Sequence, residues 1–136
     1  MSFTTDEVIR RANEGKADFQ YELSLRYTDG NGVSRDAVKA LEWCRKSAEN
    51  GYAIAQYYMG VYYDKGHGVP VNLAKAIEWW KKSAEQGDEY AMHELGICYW
   101  NGEGVPRNES TGAMYLRKAA AKGHKKSQNT LYALGL

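Results

Sequence analysis

A regular spacing of glycines, 36 residues from one to the next, constrains this chain more than any other feature of its sequence. Gly15, Gly51, Gly87 and Gly123 follow one another at that interval. Other columns keep the same interval, among them Gly30, Gly66 and Gly102; Gly32, Gly68 and Gly104; and Tyr27, Tyr63 and Tyr99. Self-similarity at a period of about 20–50 residues is typical of solenoids, in which each unit buries its apolar face on its neighbours. The sequence therefore predicts a repeat protein whose surface binds other molecules.

The central unit, 51–86, reads as a pair of helices. Apolar residues recur at helical spacing in its first half, which predicts a helix over about 53–64. Gly66, Gly68 and Pro70 then interrupt the pattern, because two glycines and a proline within five residues cannot continue a helix. Each repeat is therefore predicted to be a helical hairpin.

Side chains and glycines at the helix ends support this interpretation. Asn72 is predicted to cap the second helix, because its side chain can accept a hydrogen bond from the first free amides. Asp36 and Asn108 hold the same column in the other units, as a capping role requires. Gly87 is expected to close that helix in the left-handed conformation.

Glycines inside the predicted helices need a separate explanation. Gly60 and Gly96 lie within first helices, where glycine costs about 1 kcal/mol relative to alanine. We expect a close approach of the partner helix to offset that cost, since the column is small Ser24 in the first unit and Tyr132 in the last. Gly112 replaces an alanine of the second helix, and we expect a weak spot in the third hairpin there.

These patterns predict an all-α fold, a solenoid of helical hairpins with a 36-residue period, about eight helices and no strands. The predicted segments are an N-terminal capping helix (1–14), three repeats (15–50, 51–86 and 87–122) and a C-terminal capping helix (123–136). Half-repeats at the ends would cover the apolar faces that a solenoid otherwise exposes.

Composition and charge narrow the class of partner. Eighteen basic residues against seventeen acidic ones give a net charge of +1, whereas nucleic-acid-binding proteins usually carry a strongly basic face. The chain has no run of about 18 apolar residues, which a membrane-spanning helix needs. We therefore expect neither a nucleic acid nor a membrane as partner.

The N-terminus and the cysteines predict a cytoplasmic location. Residues 1–7 have no basic start and no apolar stretch of signal-peptide length. Cys44 and Cys98 occupy different columns in non-adjacent units, too far apart for a disulfide, so two free thiols are expected.

The repeat columns resemble the Sel-one-like repeat (SLR) family of the tetratricopeptide-repeat superfamily. The motif reads Ala91-x-x-x-Leu95-Gly96-x-x-Tyr99-x-x-Gly102-x-Gly104-Val105-Pro106, and its second helix is clearest in Lys75-Ala76-Ile77-Glu78-Trp79. The resemblance covers nearly the whole chain and implies a right-handed α/α superhelix with adaptor, scaffold or signalling roles. Some secreted relatives with a cysteine pair in every repeat are linked to β-lactam-like ligands, and this chain lacks those pairs.

No pattern in the chain predicts catalysis. The three Gly-x-Gly pairs lack the third glycine and the preceding strand of a dinucleotide-binding loop. His67, His93 and His124 lie in different columns, whereas a metal site needs three or four converging ligands. We therefore predict a protein that is not an enzyme, with no catalytic residue, metal ligand or cofactor.

Aromatic residues give the best indication of a binding surface. By analogy with tetratricopeptide repeats, the first helices face a concave groove, and tyrosine and tryptophan are enriched in interface hot spots. For Tyr57, Tyr62 and Trp80 core packing is the favoured interpretation, whereas for Tyr58 and Trp100 a partner surface is favoured. The predicted partner-binding residues are Tyr21, Leu25, Tyr57, Tyr58, Val61, Tyr90, His93, Ile97, Trp100 and Asn129.

The functional hypothesis is a non-catalytic protein-interaction module, an adaptor or scaffold that binds a protein through its concave face. One alternative is a bacterial immunity protein that neutralises a cognate toxin by occlusion. Another is a protein that binds or hydrolyses a small ligand such as peptidoglycan or a β-lactam, and a third is a structural piece of a larger assembly. A basic cluster near the C-terminus, 117–126, is either a solvated helix end or a contact for an acidic partner.

Overall fold

The computed structural model describes residues 2–136, and within them it contains eight helices and no strand, which confirms the predicted fold class. The helices are α1 (Thr5–Asn13), α2 (Ala17–Asp29), α3 (Ala37–Glu49), α4 (Ala53–Lys65), α5 (Leu73–Glu85), α6 (Glu89–Asn101), α7 (Glu109–Ala121) and α8 (Lys125–Ala133). Three hairpins, α2/α3, α4/α5 and α6/α7, pack side by side, with α1 against α2 and α8 against α7. None of these helices is both long and apolar enough to cross a membrane.

The predicted helix ends are present. Asp36, Asn72 and Asn108 each accept a hydrogen bond from the amide three residues onward, at 3.0, 3.1 and 3.0 Å, so all three capping residues are confirmed. Gly87 follows the end of α5 with φ at +94°, in the left-handed region.

The glycine inside α4 marks a close approach of α5. A Cβ atom at Gly60 would lie 2.1 Å from Nε1 of Trp80, which is 1% exposed. That indole N–H donates to the Tyr57 carbonyl at 3.1 Å, so the ring is fixed over the glycine. The structure confirms the expected packing role of this column.

The same column behaves as expected at both ends of the chain. In the first hairpin Ser24 is small enough to lie against α3, and its hydroxyl donates to the Ala40 carbonyl at 2.6 Å. On α8, the last helix within residues 2–136, the side chain of Tyr132 is 86% exposed.

The interpretation of Gly112 as a weak spot is wrong. A Cβ atom there would lie 2.8 Å from the backbone nitrogen of Trp100 and 2.9 Å from the carbonyl oxygen of Gly96. The backbones of α6 and α7 therefore approach more closely than an alanine would permit. Leu116 fills the space that Trp80 occupies in the preceding hairpin, since a Cβ atom at Gly96 would lie 2.7 Å from its Cγ.

Glutamines join successive hairpins at equivalent places. Gln20 donates through its side-chain amide to the Ala12 carbonyl at 3.2 Å, and Gln56 donates to the Ala48 carbonyl at 3.1 Å. Both amides are buried, and each gives a second donor to a carbonyl at the end of the preceding helix that also accepts from the backbone amide of Gly15 or Gly51.

Most of the apolar core is one continuous cluster that runs from α3 to α7, with Trp80 as its largest fully buried side chain. The two cysteines belong to it as free thiols, as expected. Burial raises the pKa of both Cys44 and Cys98 to about 12, which keeps these thiols protonated and unreactive at neutral pH.

Candidate partner-binding face

A chain of aromatic rings runs across the first helices of the hairpins. We call it the tyrosine row, and it consists of Tyr52, Tyr21, Tyr58, Tyr57 and Tyr90 in spatial order. Neighbouring ring centroids lie 5.4, 6.0, 5.0 and 5.6 Å apart along that order. These separations fall within the range of favourable aromatic pairs, so the row is one contiguous surface feature.

The repeat explains why the rings meet. Tyr21 on α2 and Tyr57 on α4 occupy the same column of the repeat. The helix register places the ring of Tyr58 against that of Tyr21, and the ring of Tyr90 on α6 against that of Tyr57. Tyr52 immediately precedes α4 and packs on Tyr21. The row therefore depends on the stacking of hairpins and crosses two junctions between them.

A groove opens beside the row between α4 and α6. It has a volume of about 420 Å³ and is lined by Ile54, Tyr57, Tyr58, Asp88, Glu89 and Tyr90, together with Gly87. Tyr58 is 42% exposed and Tyr90 is 53% exposed, so two rings of the row present much of their surface to solvent. Apolar side chains and carboxylates thus share one opening.

Carboxylates are the charged groups that line this groove. Partial burial raises the pKa of Asp88, although hydrogen bonds from the backbone amides of Ala91 and Tyr90 oppose that change. Burial also raises the pKa of Glu94, with Asp64 as a further cause, and raises that of Tyr57 to about 12. The groove is thus lined by partly buried carboxylates, and a Cβ atom at Gly87 would lie 3.2 Å from Nζ of Lys122 at its edge.

The rings of the row are free of the lysines that cover other aromatic residues. Lys46 lies 4.2 Å from the ring centroid of Trp43, and Lys82 lies 4.7 Å from that of Trp79. The remaining cation–π contacts within residues 2–136 are made by Phe3, Phe19, Tyr27, Tyr63 and Tyr99, and none involves the row.

The far end of the row is closed by two histidines. The His124 ring lies 5.0 Å from the ring of Tyr90 and 5.0 Å from that of His93. The Ser127 hydroxyl lies 2.7 Å from Nδ1 of His93 and 2.9 Å from Nδ1 of His124, and the Ser127 amide donates to the latter nitrogen. This network assigns the Nδ1 proton of His93 as the donor to the hydroxyl, which in turn donates to His124.

His93 therefore lies in a different environment from the one that the sequence predicted. We expected it to present its ring to a partner, but it is 8% exposed because α8 closes over it. Burial, followed by the nearby His124 and Lys126, lowers its pKa to about 4. Its ring pairs with that of His124, which in turn packs on Tyr90 at the end of the row.

The other predicted residues lie on the first helices but outside the row. Leu25 is 39% exposed, Asn129 is exposed, and Val61 and Ile97 are half-buried. Trp100 is half-buried, with its backbone against Gly112, and its ring pairs with none of the row.

Sequence reasoning missed Tyr52, His124 and Ile54. Tyr52 and His124 share the column immediately before a first helix, and each packs on the residue of the Tyr21 column in the preceding hairpin. That paired recurrence was visible in the sequence. Ile54 carried no signal beyond its hydrophobicity. Within residues 2–136 no three His, Cys, Asp or Glu side chains are placed to hold a metal ion.

Solved structures similar to this chain are repeat proteins. A Sel1 repeat protein from Oxalobacter formigenes superposes with a TM-score of 0.90 at 31% identity, over 93% of this chain and 96% of that one. A protective antigen of uropathogenic Escherichia coli with an SLR fold gives 0.89 at 35% identity, over 96% of this chain and 28% of that one. The cysteine-rich protein B of Helicobacter pylori gives 0.73 at 20% identity, over 93% of each chain, which shows a shared fold alone.

Among curated proteins none matches the chain significantly. The family model described as Sel1 repeat matches three consecutive segments, 17–52, 53–88 and 89–124. These matches cover most of the chain and coincide with its three hairpins, since each begins with a first helix and ends at the residue before the next one begins. The chain belongs to the Sel1 repeat family.

Proposed function

We propose that this chain is a non-catalytic adaptor that binds a partner protein through the tyrosine row and the adjoining groove. Sel1 repeat proteins are generally protein-interaction modules. The observation that carries the proposal is a contiguous row of rings, partly exposed, with no lysine of the chain over it and with carboxylates at its side.

The partner segment that fits this face carries lysine or arginine side chains. A cation over a tyrosine ring contributes about 0.5–2 kcal/mol, with the larger values where the pair is desolvated. Asp88 and Glu89 at the groove then supply the opposite charge. Mutual stacking pre-orders the rings, so little side-chain entropy is lost when the segment binds.

The groove adds an apolar contact to this recognition. Ile54 is 40% exposed and lines the groove together with Tyr57, Tyr58 and Tyr90. An aliphatic side chain or a lysine stem of the partner would cover these surfaces together. We therefore propose a basic segment with an apolar residue near its cations as the preferred ligand.

The identity of the partner decides the biological role. A toxin whose basic surface is covered by this face would make the chain an immunity protein, whereas a partner that stays active would make it an adaptor. We propose a cytoplasmic location, which the two free cysteines support, since a reducing compartment maintains thiols.

The test is a selection of peptides from a random phage-displayed library on the immobilised chain. We expect the selected sequences to be enriched in Lys and Arg beside an aliphatic residue. Synthetic peptides should lose at least about tenfold in affinity for a Tyr58→Ala, Tyr90→Ala double variant. Binding should also weaken as salt concentration rises.

The matched control is Tyr132→Ala, which removes a tyrosine that is 86% exposed on α8 and outside the row. It should leave affinity unchanged. Selected peptides that bind the double variant and the parent chain equally, or that lack basic residues, would show that the row is not the binding site. A captured native partner would then be assayed for its own activity with and without the chain, which separates an immunity protein from an adaptor.

A further inference from the structure

A second cavity lies away from the row, at the junction of the first two hairpins. Its volume is about 440 Å³, within the range of small-molecule sites. It is lined mainly by Thr28, Arg35, Ala37, Leu41, Tyr62 and His67. The opening therefore lies between the start of α3 and the loop that follows α4, and no residue of the tyrosine row lines it.

The repeat shows why this cavity is open. Ala37 shares its column with Leu73, one unit later. A Cβ atom at Gly104 would lie 2.8 Å from the Leu73 side chain, whereas at the equivalent Gly68 the side chain of Leu41 is the one group within 4 Å. The leucine that fills the second junction is thus missing from the first, and the cavity takes its place.

The residue in the column of Ala37 also determines whether the arginine beside the cavity is paired with a carboxylate. Arg107, in the third unit, forms a salt bridge with Glu109, which holds the column of Ala37. Arg35 occupies the column of Arg107, but alanine at 37 cannot pair with it, and within residues 2–136 it forms no salt bridge. The second unit carries neutral Val71 at this column.

The loop on the other side of the cavity also lacks a carboxylate that is present at the second junction. His67 lines the first junction, whereas Glu103 holds its column at the second. Within residues 2–136 no carboxylate lines the cavity, and its donors are the Arg35 guanidinium, the His67 imidazole and the Tyr62 hydroxyl, since the Thr28 hydroxyl already donates to the Ser24 carbonyl at 3.0 Å. Three column differences therefore combine apolar space with hydrogen-bond donors at a single junction.

We propose that this cavity is a binding site for a small carboxylate with an apolar body. The aryl or alkyl body lies against Ala37, Leu41 and the Tyr62 ring, where leucine packs in the next repeat. The carboxylate is held by the Arg35 guanidinium, whose planar donors match two carboxylate oxygens, with His67 nearby. This inference is independent of the proposed partner face.

The probes are 3-phenylpropanoate, 3-phenylpropan-1-ol and 3-phenylpropylammonium, titrated into the isotopically labelled chain and followed by amide NMR shifts. The three share one body and differ in head-group charge. We expect the carboxylate to bind with a Kd on the order of 1 mM, as its size implies. The shifts should centre on Ala37 and Gly68, and the alcohol and ammonium should bind at least about tenfold more weakly.

Two variants restore what the other repeats already carry at this column, so the fold should tolerate them. Ala37→Leu should abolish binding because it fills the space, as Leu73 does. Ala37→Glu should weaken binding at least about tenfold, because it pairs with Arg35 and adds a like charge. Arg35→Gln tests the head-group contact alone and should make the carboxylate bind no better than the alcohol.

Circular dichroism would confirm that each variant is folded. Equal affinity for the three probes, shifts located elsewhere, binding that survives Ala37→Leu, or no saturable shift for the carboxylate would each overturn the proposal. Peptide binding at the tyrosine row should be the same in the parent chain and in all three variants, so the two proposals stand or fall separately.

Discussion

The chain contains two kinds of partly exposed aromatic residue, and they differ in what covers them. On the second helices, Trp43 and Trp79 each lie beneath a lysine of their own helix. On the first helices, the tyrosines of the row contact each other, and Tyr58 and Tyr90 remain about half exposed. An aromatic residue that already holds a cation has little left to offer a partner. Exposure alone is therefore a weaker guide to a binding face than exposure without an internal cation.

The largest expected effect is on the free energy of unfolding, which should fall much more when an aromatic ring is removed from the core than when one is removed from the tyrosine row. Trp80→Ala should lower the free energy of unfolding by about 3–5 kcal/mol, because it opens a cavity and removes the contact with Gly60. Tyr58→Ala should lower it by less than about 1 kcal/mol, since the ring is partly exposed. Urea denaturation would measure both, and similar losses would mean that the row is part of the core.

The buried end of the row predicts a dependence of stability on pH. The pKa of His93 is lowered to about 4 in the folded chain, so below about pH 6.5 the unfolded state takes up a proton that the folded state does not. Stability should therefore fall by about 1–2 kcal/mol between pH 7 and pH 5. Chemical denaturation at both pH values would measure it.

The control is His93→Gln, which keeps a hydrogen-bonding side chain and removes the titrating group. The variant should lose most of the acid-dependent part of the stability difference. An identical pH dependence in the variant would assign the effect to another residue.

A lysine introduced beside the row should cover its rings in the way that Lys46 and Lys82 cover Trp43 and Trp79. Ile54→Lys places a cation in the groove next to Tyr57 and Tyr58. Selected basic peptides should bind about fivefold to tenfold more weakly, because the added charge repels them and occupies the rings. Ile54→Met is the matched control, which keeps an apolar stem and should bind as the parent chain does. Fluorescence anisotropy would compare the two, and equal affinities would contradict a cationic ligand.

The smallest effect concerns a covering lysine. Lys82→Ala uncovers Trp79 and should cost about 0.5–1 kcal/mol of stability. Peptide affinity should not change, since the row lies on other helices. Thermal unfolding and the peptide assay together would check this, and a loss of affinity would place the partner on the second helices.

The architecture could be predicted from the sequence because the same local pattern occurs in each of the three repeats. The caps at Asp36, Asn72 and Asn108 and the packing glycine at Gly60 depend on contacts within one hairpin, and these were predicted correctly. Gly112 was misread because an absent methyl group gives no sign of whether it leaves a gap or permits a backbone to come closer.

The binding face was only partly readable, because it arises between hairpins. The rotation from one hairpin to the next decides which rings meet, so Tyr52 joined the row while Trp100 did not. His93 was misplaced for a related reason. The half-repeat that begins at His124 folds over it, whereas the same column in the preceding hairpins remains half-exposed as Tyr21 and Tyr57.

The glutamine junctions make the units nearly exchangeable. Gln20 and Gln56 donate to equivalent carbonyl groups, those of Ala12 and Ala48, in the helix before their own. Gln56 of a duplicated copy of 53–88 would therefore meet the equivalent carbonyl of Ala84. Such a copy would also carry another pair of adjacent tyrosines to the existing row. Duplication of a repeat by recombination within the gene can therefore lengthen the tyrosine row, and no new fold is required.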